Sequence, residues 1–332
     1  MSRFTQPVQC FACTHLSVFS AAGADTETFL QSQLTQDMQA VTASQAALAG
    51  FCTAQGRLWA SMLLLGTQDG GGAGAGAGVL GVVNSDVIES FLKRLRMFVL
   101  RSKVTLEALE QPKVFGLVIS SADLPAFNEV CAIELSDTPW QAIASSFGHF
   151  ISMPSADADV LRYQLLATDN EVAALSKALG ESWQPNDELA AWQVQDMRAG
   201  IGWIQTTTQD LFIAQTLNLD LLDGVSFTKG CYPGQEVVAR AHYRGTVKRR
   251  MHLASNDSAH PELTPGMDVF EASEPDNPVG RLIDVVTLAG KTWVLFEAPF
   301  KTLEGEPLRA GSAGGPALQL QSLPYSLETQ KT

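Results

Sequence analysis

The stretch Lys229-Gly230-Cys231-Tyr232-Pro233-Gly234-Gln235-Glu236 constrains this chain more than any other, because two glycines flank a proline within one short run. Gly230 and Gly234 permit positive φ and close backbone approach, while Pro233 fixes one φ and removes an N–H, so the run predicts a shaped turn. Val237-Val238-Ala239 then predicts a resumed apolar element, buried in the core. The turn gathers a cation, a thiol and a carboxylate. Positive potential from Lys229 and from loop N–H groups favours the thiolate of Cys231, making it nucleophilic or redox-active. The alternative is a small buried cysteine that packs as a hydrophobe.

A chain of 332 residues exceeds one ordinary core, so two or three domains are expected. Hydrophobic residues make up 45% of it, without an apolar run of about 18 residues, so the composition predicts a soluble globular protein without a spanning helix. Met1-Ser2-Arg3-Phe4-Thr5-Gln6 lacks the apolar core of a signal peptide, and a cytoplasmic location is expected. The cysteines are odd in number, 5, and scattered at 10, 13, 52, 131 and 231, which predicts reduced thiols rather than a disulfide framework. Cys10-Phe11-Ala12-Cys13 has the spacing of half a zinc site, but no second ligand pair follows, so both are assigned to an N-terminal strand.

The formal net charge of −13 argues against nonspecific nucleic-acid binding by the whole surface. Two local runs differ. Lys229, Arg240, Arg244, Lys248, Arg249 and Arg250 face the single acid Glu236, and Lys93, Arg94, Arg96, Arg101 and Lys103 face none. Such patches on an acidic chain suit a polyglutamate, a phosphate or an RNA backbone; the alternative is two solvated faces.

Along the chain, Leu16 to Phe19 reads as a strand, and Asp25 as the N-cap of a helix carrying Phe29, Leu30, Gln33 and Leu34. Ala47 to Thr53 and Leu58 to Leu65 predict a hairpin around Ala54-Gln55-Gly56-Arg57. The Gly/Ala run from Asp69 to Gly78 predicts a flexible hairpin tip, without the Lys-Ser/Thr ending of a phosphate loop. Asp86 is the expected cap of a helix with Val87, Ile88, Phe91, Leu92 and Leu95 on one face, and Val99 to Leu106 a further strand. Val114 to Ile119 reads as a strand, Asp169 to Leu179 and Leu189 to Arg198 as helices. Beyond Lys248, short strands at Val269-Phe270, Gly280 to Ile283 and Thr292 to Phe296 alternate with turn signals and predict a small antiparallel barrel. The irregular alternation favours an α+β fold over a doubly wound sheet.

These residues resemble the folate-binding YgfZ family, relatives of the glycine-cleavage T-protein aminomethyltransferases. Lys229 to Glu236 matches the family's K-G-C-Y-x-G-Q-E signature, preceded by Asn218-Leu219-Asp220 and Gly224-Val225-Ser226-Phe227. Asp25, Phe29-Leu30-Gln31, Gln33-Leu34-Thr35, Asp37, Gly56-Arg57, Arg101 to Val104, Arg198-Ala199-Gly200-Ile201 and Leu323-Pro324-Tyr325 extend the resemblance over nearly the whole chain. It implies two ferredoxin-like α+β units in a cloverleaf-like folate-binding core, with a C-terminal antiparallel β-barrel. The corresponding domains are residues 1–110, 111–247 with the signature loop, and 248–332. It also implies tetrahydrofolate or a reduced derivative as cofactor, and a role in maturing or repairing iron–sulfur enzymes, including those that modify tRNA.

On this reading Cys231 and Lys229 are the expected catalytic pair, and Tyr232, Gln235 and Arg198 belong to the folate site. Arg240 and Arg244 are candidate clamps for the glutamate tail. Glu236 or Asp220 can accept pterin N–H bonds, and Trp203 can cover the pterin face or pack in the core. T-proteins carry an aspartate that assists aminomethyl transfer in the helix after the segment resembling Val83-Asn84. The sequence Asn84-Ser85-Asp86-Val87-Ile88-Glu89-Ser90-Phe91 holds no secure equivalent. A folate-dependent accessory protein is therefore the leading expectation, an aminomethyltransferase the second, and a noncatalytic tRNA or protein adaptor the third.

Overall fold

A computed structural model of the protein describes residues 3–67, 78–243, 247–305 and 307–327. Of the expected Gly/Ala hairpin tip, residues 69–77 lie outside the described residues, as does Arg244. In chain order come β1 (Val8–Ala12), β2 (Leu16–Ala22), α1 (Thr26–Gln31), β3 (Ala47–Cys52), β4 (Leu58–Thr67), β5 (Gly78–Asn84) and α2 (Ile88–Arg96). Next are β6 (Thr105–Leu109), β7 (Lys113–Ser120), α3 (Leu124–Cys131), β8 (Ala142–Ser145), β9 (Gly148–Met153) and β10 (Val160–Ala167). α4 (Asp169–Leu179), β11 (Trp183–Asn186), α5 (Leu189–Arg198) and α6 (Gln235–Tyr243) follow. The last strands are β12 (Arg249–Asn256), β13 (Asp268–Phe270), β14 (Pro278–Leu288), β15 (Lys291–Pro299), β16 (Arg309–Ala310) and β17 (Gln319–Gln321). The fold is α+β, as the sequence predicts.

The chain divides into two compact units, each discontinuous in sequence. The first comprises Met1–Gln31, Asp37–Ala47 and Met62–Trp192, the second Ser32–Gln36, Leu48–Ser61 and Gln193–Thr332. The boundaries cut β3, β4 and α5.

In the first unit a six-stranded sheet is ordered β11-β1-β7-β10-β9-β8. Alternate residues of β10, Tyr163, Leu165 and Ala167, enter one core with Leu117 of β7 and Phe150 of β9. Helices α3 and α4 cover that core with Phe127 and Cys131, and with Leu175 and Leu179, each pair four residues apart on one helical face. A full capping box starts α4: Thr168 Oγ1 accepts from Glu171 N, and the Glu171 carboxylate accepts from Thr168 N. On a second sheet β2 pairs with both β5 and β6, and α2 contributes the buried stripe Ile88, Phe91, Leu92 and Leu95. Phe91 meets Phe19 of β2 edge-on at 5.1 Å.

Three local expectations are corrected here. The strand expected from Val99 to Leu106 begins only at Thr105, because the N–H groups of Met97, Phe98 and Val99 bond back to Arg94, Leu95 and Arg96 and prolong the end of α2 as turns. Asp25 stands at the N-cap position of α1, its C=O accepting from Phe29 N, while its carboxylate accepts from Lys103 N at 2.7 Å; the helix ends at Gln31, short of the expected Gln33 and Leu34. α2 starts at Ile88 without a side-chain cap; Asp86 N instead donates to Asn84 Oδ1.

The second unit is dominated by a six-stranded antiparallel half-barrel, ordered β16-β13-β14-β15-β12-β17. Val269, Leu282, Val294, Phe296, Leu308 and Leu318 form its core. The pairing of β14 with β15 slips between Leu282 and Asp284, a bulge of the kind that re-aims a side chain. Asp284 is buried, with its Oδ1 accepting from Gln205 Nε2 at 2.9 Å and from Val285 N at 2.8 Å. Among the described residues no helix is long and apolar enough to cross a membrane.

Burial pushes the Asp284 carboxyl up to about 7 and the His252 imidazole of β12 down to about 4. The two act oppositely. Between its ordinary value of 3.8 and about 7, folded Asp284 keeps a proton that the unfolded chain has released, so stability falls as pH rises. Between about 4 and its ordinary 6.5, folded His252 lacks a proton that the unfolded chain holds, so stability is lost as pH falls. Asp284→Asn keeps an acceptor for Gln205 and removes the first effect. Its thermal midpoint is expected to exceed the wild type's at pH 7, with the difference closing toward pH 4 in melting curves across that range.

Candidate functional site

The signature loop is held from beneath by Lys229. Its Nζ donates to Leu34 O and Gln36 O, both at 2.7 Å, and lies 5.4 Å from the centre of the buried Tyr232 ring. A buried ammonium is tolerable only when so bonded, and here the bonds tie the loop to the short segment 32–36. Neighbouring contacts repeat the attachment: Thr35 Oγ1 donates to Gly224 O at 2.7 Å, and Ser226 N donates to Thr35 O at 2.9 Å. Gln36 Nε2 reaches Leu48 O at 3.0 Å.

Gly234 supplies the conformational freedom that the sequence predicts. Its φ is +79°, and an added Cβ would lie 2.4 Å from Thr53 O and 2.5 Å from Gly56 Cα, so the loop rests directly on the β3–β4 turn. Gly230 differs: its φ is ordinary and nothing lies near an added Cβ, so it is not required for close approach. The expected buried apolar element after the loop is instead α6, with only Val238 of its two valines buried; Val237 is exposed because a helix hides one face.

Cys231 is the exposed thiol among the five cysteines. Burial pushes Cys10 and Cys52 up to about 12 and Cys131 up to about 11, so those thiols are unreactive near neutral pH. Cys231 lies four residues before α6, whose first residue Gln235 donates its N–H to Tyr232 O at 3.2 Å. Glu236 and Arg240 pair across one turn of this helix at 2.8 Å, both exposed. Lys229, Cys231, Tyr232, Gln235, Glu236 and Arg240 thus form one loop-and-helix feature.

The remaining predicted residues are placed otherwise. The Asp220 carboxylate is taken up by Arg250, which is 0% exposed and donates through Nη1 at 2.5 Å and Nη2 at 2.9 Å. Arg250 Nη1 also donates to Gln215 O at 2.9 Å. Beside this pair, Asn218 Nδ2 donates to Met251 O and to the Tyr325 hydroxyl, which itself donates to Gly200 O at 3.0 Å. Trp203 is buried, with Nε1 donating to Asp196 Oδ2 at 3.3 Å. It lines an apolar crevice with Leu48, Ile201, Leu219 and Leu222 that is too narrow for water. Arg198 is exposed at the end of α5.

The basic run is therefore three different things. Arg250 is core, Arg249 is paired with both oxygens of Glu297 at 2.6 and 2.7 Å, and Lys248 is exposed. Sequence reasoning missed the carboxylates Asp196 and Asp284, whose partners Trp203 and Gln205 carry no local signal; Asp284 and Gln205 are 79 residues apart. It also missed the ring cluster of Phe227, His242 and Tyr243. Among the described residues no group of three or more His, Cys, Asp or Glu is arranged to hold a metal ion.

The fold is that of a glycine-cleavage aminomethyltransferase T. The chain is similar to that protein from Bartonella henselae with a TM-score of 0.70, over 98% of this chain and 88% of the other, at 15% identity. In sequence it is similar to the tRNA-modifying protein YgfZ of Yersinia enterocolitica (serotype O:8 / biotype 1B), 29% identical over 328 residues, which is 98% of this chain and 94% of that protein. YgfZ of Yersinia pestis (strain Pestoides F) gives the same figures. No family model matches the chain. The YgfZ resemblance seen in the signature loop thus holds along nearly the entire sequence.

Lys229→Met should leave the Leu34 and Gln36 carbonyls without their donor, and lose roughly 2–4 kcal/mol of stability in urea unfolding. Lys229→Arg should not rescue it, because a planar guanidinium does not fit a point-charge site.

Proposed function

We propose that this protein is a cytoplasmic accessory factor of tRNA modification that works through the Cys231 thiol, binds tetrahydrofolate or a reduced derivative, and supports iron–sulfur enzymes. The observation that carries the reading is the placement of Cys231. One thiol of five is exposed, on a loop anchored by Lys229 and seated on the β3–β4 turn through Gly234. The YgfZ relatives are named for tRNA modification, which supports the tRNA part. In this reading Lys229 is a positioning residue: its ammonium faces backbone carbonyls and holds the loop from which Cys231 projects.

The fit to folate is uneven. Exposed Arg240 and Lys248 suit the carboxylates of a glutamate tail. The pterin end finds no such match in the second unit, since Asp220 is engaged by Arg250 and the crevice at Trp203 is too narrow. Folate accordingly contributes no chemical step to this account of Cys231. The fold favours a second reading, aminomethyl transfer to tetrahydrofolate, which a reconstituted glycine-cleavage assay separates by whether methylenetetrahydrofolate forms.

Iodoacetamide under native conditions is expected to label Cys231 ahead of the other four cysteines, read by peptide mass spectrometry. In cells deprived of the protein, wild type should restore the modified nucleosides of bulk tRNA and Cys231→Ser should not; full restoration by Cys231→Ser would remove the thiol from the function. Calorimetric titration with tetrahydrofolate is expected to show saturable binding that Arg240→Ala weakens by about tenfold, the loss of one charge-assisted contact. Heatless titration of well-folded wild type would remove folate while leaving the thiol reading intact.

A further inference from the structure

The loop that carries Cys231 opens at Phe227, and α6 closes at Tyr243. Their rings meet. Phe227 stacks on His242 with centroids 3.7 Å apart and planes 14° from parallel. Tyr243 stands edge-on to both, 4.9 Å from His242 and 6.4 Å from Phe227, and is 68% exposed. An aromatic side chain so open, braced by two other rings, is not contributing its area to a core. Arg240 lies three residues before Tyr243, on the same face of α6, and Lys248 follows five residues after it.

We propose that Phe227, His242 and Tyr243 form a base-stacking platform for unpaired RNA, with Arg240 and Lys248 contacting the flanking phosphates. This assignment rests on the tRNA reading above and adds the residues and the strandedness of the ligand. Base faces stack on aromatic rings whatever the sequence, and adjacent cations track the backbone, which together define single-strand recognition. The rings are pre-arranged: stacking on Phe227 fixes the His242 plane, and that plane in turn orients Tyr243. Arg240 is available because its exposed pair with Glu236 is of the weak surface type that a phosphate displaces.

The open geometry also discriminates between ligands. A pterin or other small heterocycle is held in a concavity that buries most of its surface, whereas this platform offers Tyr243 openly to solvent. A strand whose bases also stack on one another needs only one such face.

The test is fluorescence anisotropy of full-length protein with labelled, deacylated bulk tRNA and with a short labelled oligouridine, over a salt series. Tyr243→Ala is expected to weaken binding of both probes by about tenfold, and Tyr243→Phe to bind as wild type. The slope of log affinity against log salt should be unchanged by Tyr243→Ala and reduced by about one by Lys248→Gln, because stacking releases no counterions and a phosphate contact does. Tyr243 is exposed, so its variants should melt with the wild type. Failure of wild type to bind either RNA would overturn the tRNA reading and this platform together. RNA binding that Tyr243→Ala leaves untouched, or that fully paired RNA displaces as well as oligouridine does, would overturn the platform alone.

Discussion

The Lys229 ammonium, held between the carbonyls of Leu34 and Gln36, is the contact on which the arrangement of the candidate site depends. A buried cation without partners is expelled or neutralised, so the site exists only if both carbonyls converge on Nζ. That requirement draws the segment Ser32–Gln36 into the second unit although its neighbours on either side belong to the first. It also determines what Cys231 can be. Between the anchored Lys229 and Gly234, which no larger residue can replace, Tyr232 turns inward and Cys231 faces solvent.

A second buried charge sorts the cations. The bidentate contact of Arg250 with Asp220, joined by Gln215, takes both groups away from any ligand; breaking one such partner leaves an uncompensated charge, typically costing about 3–5 kcal/mol. Asn218, Gly200 and Tyr325 are knitted into the same region, so residues distant in the sequence act as one structural block. With Arg250 internal and Arg249 engaged by Glu297, Arg240 on α6 and Lys248 are the described cations of the run from Lys229 to Arg250 left facing solvent without a buried or bidentate acid partner. Anion recognition by this region is correspondingly narrower than a count of basic residues suggests.

Legibility followed the range of the forces involved. α4 and α5 occupy the residues that periodicity predicts, Asp169–Leu179 and Leu189–Arg198, because helical spacing and the Thr168–Glu171 cap are local. The hairpin of β3 and β4 was likewise legible from Gly56 and its flanking apolar runs. The stretch from Val99 to Val104 was misread because its composition suits a strand, while Val99 N and Leu100 N bond back to Arg96 O and Phe98 O at the end of the preceding helix. Val237 and Val238 were misread as one buried run because composition does not say which side of a helix meets the core.

Sequence alone determined that Lys229 to Gly234 forms a shaped turn bearing a thiol, that the chain is α+β, and that its last third is antiparallel. These follow from backbone sterics and short-range patterning, which every residue carries with it. Tertiary structure decided which cysteine is exposed, which of the clustered cations are already paired, and that the Lys229 ammonium is bonded to the carbonyls of Leu34 and Gln36. Burial and ion pairing depend on partners brought from far along the chain, and no local pattern records which partner arrives.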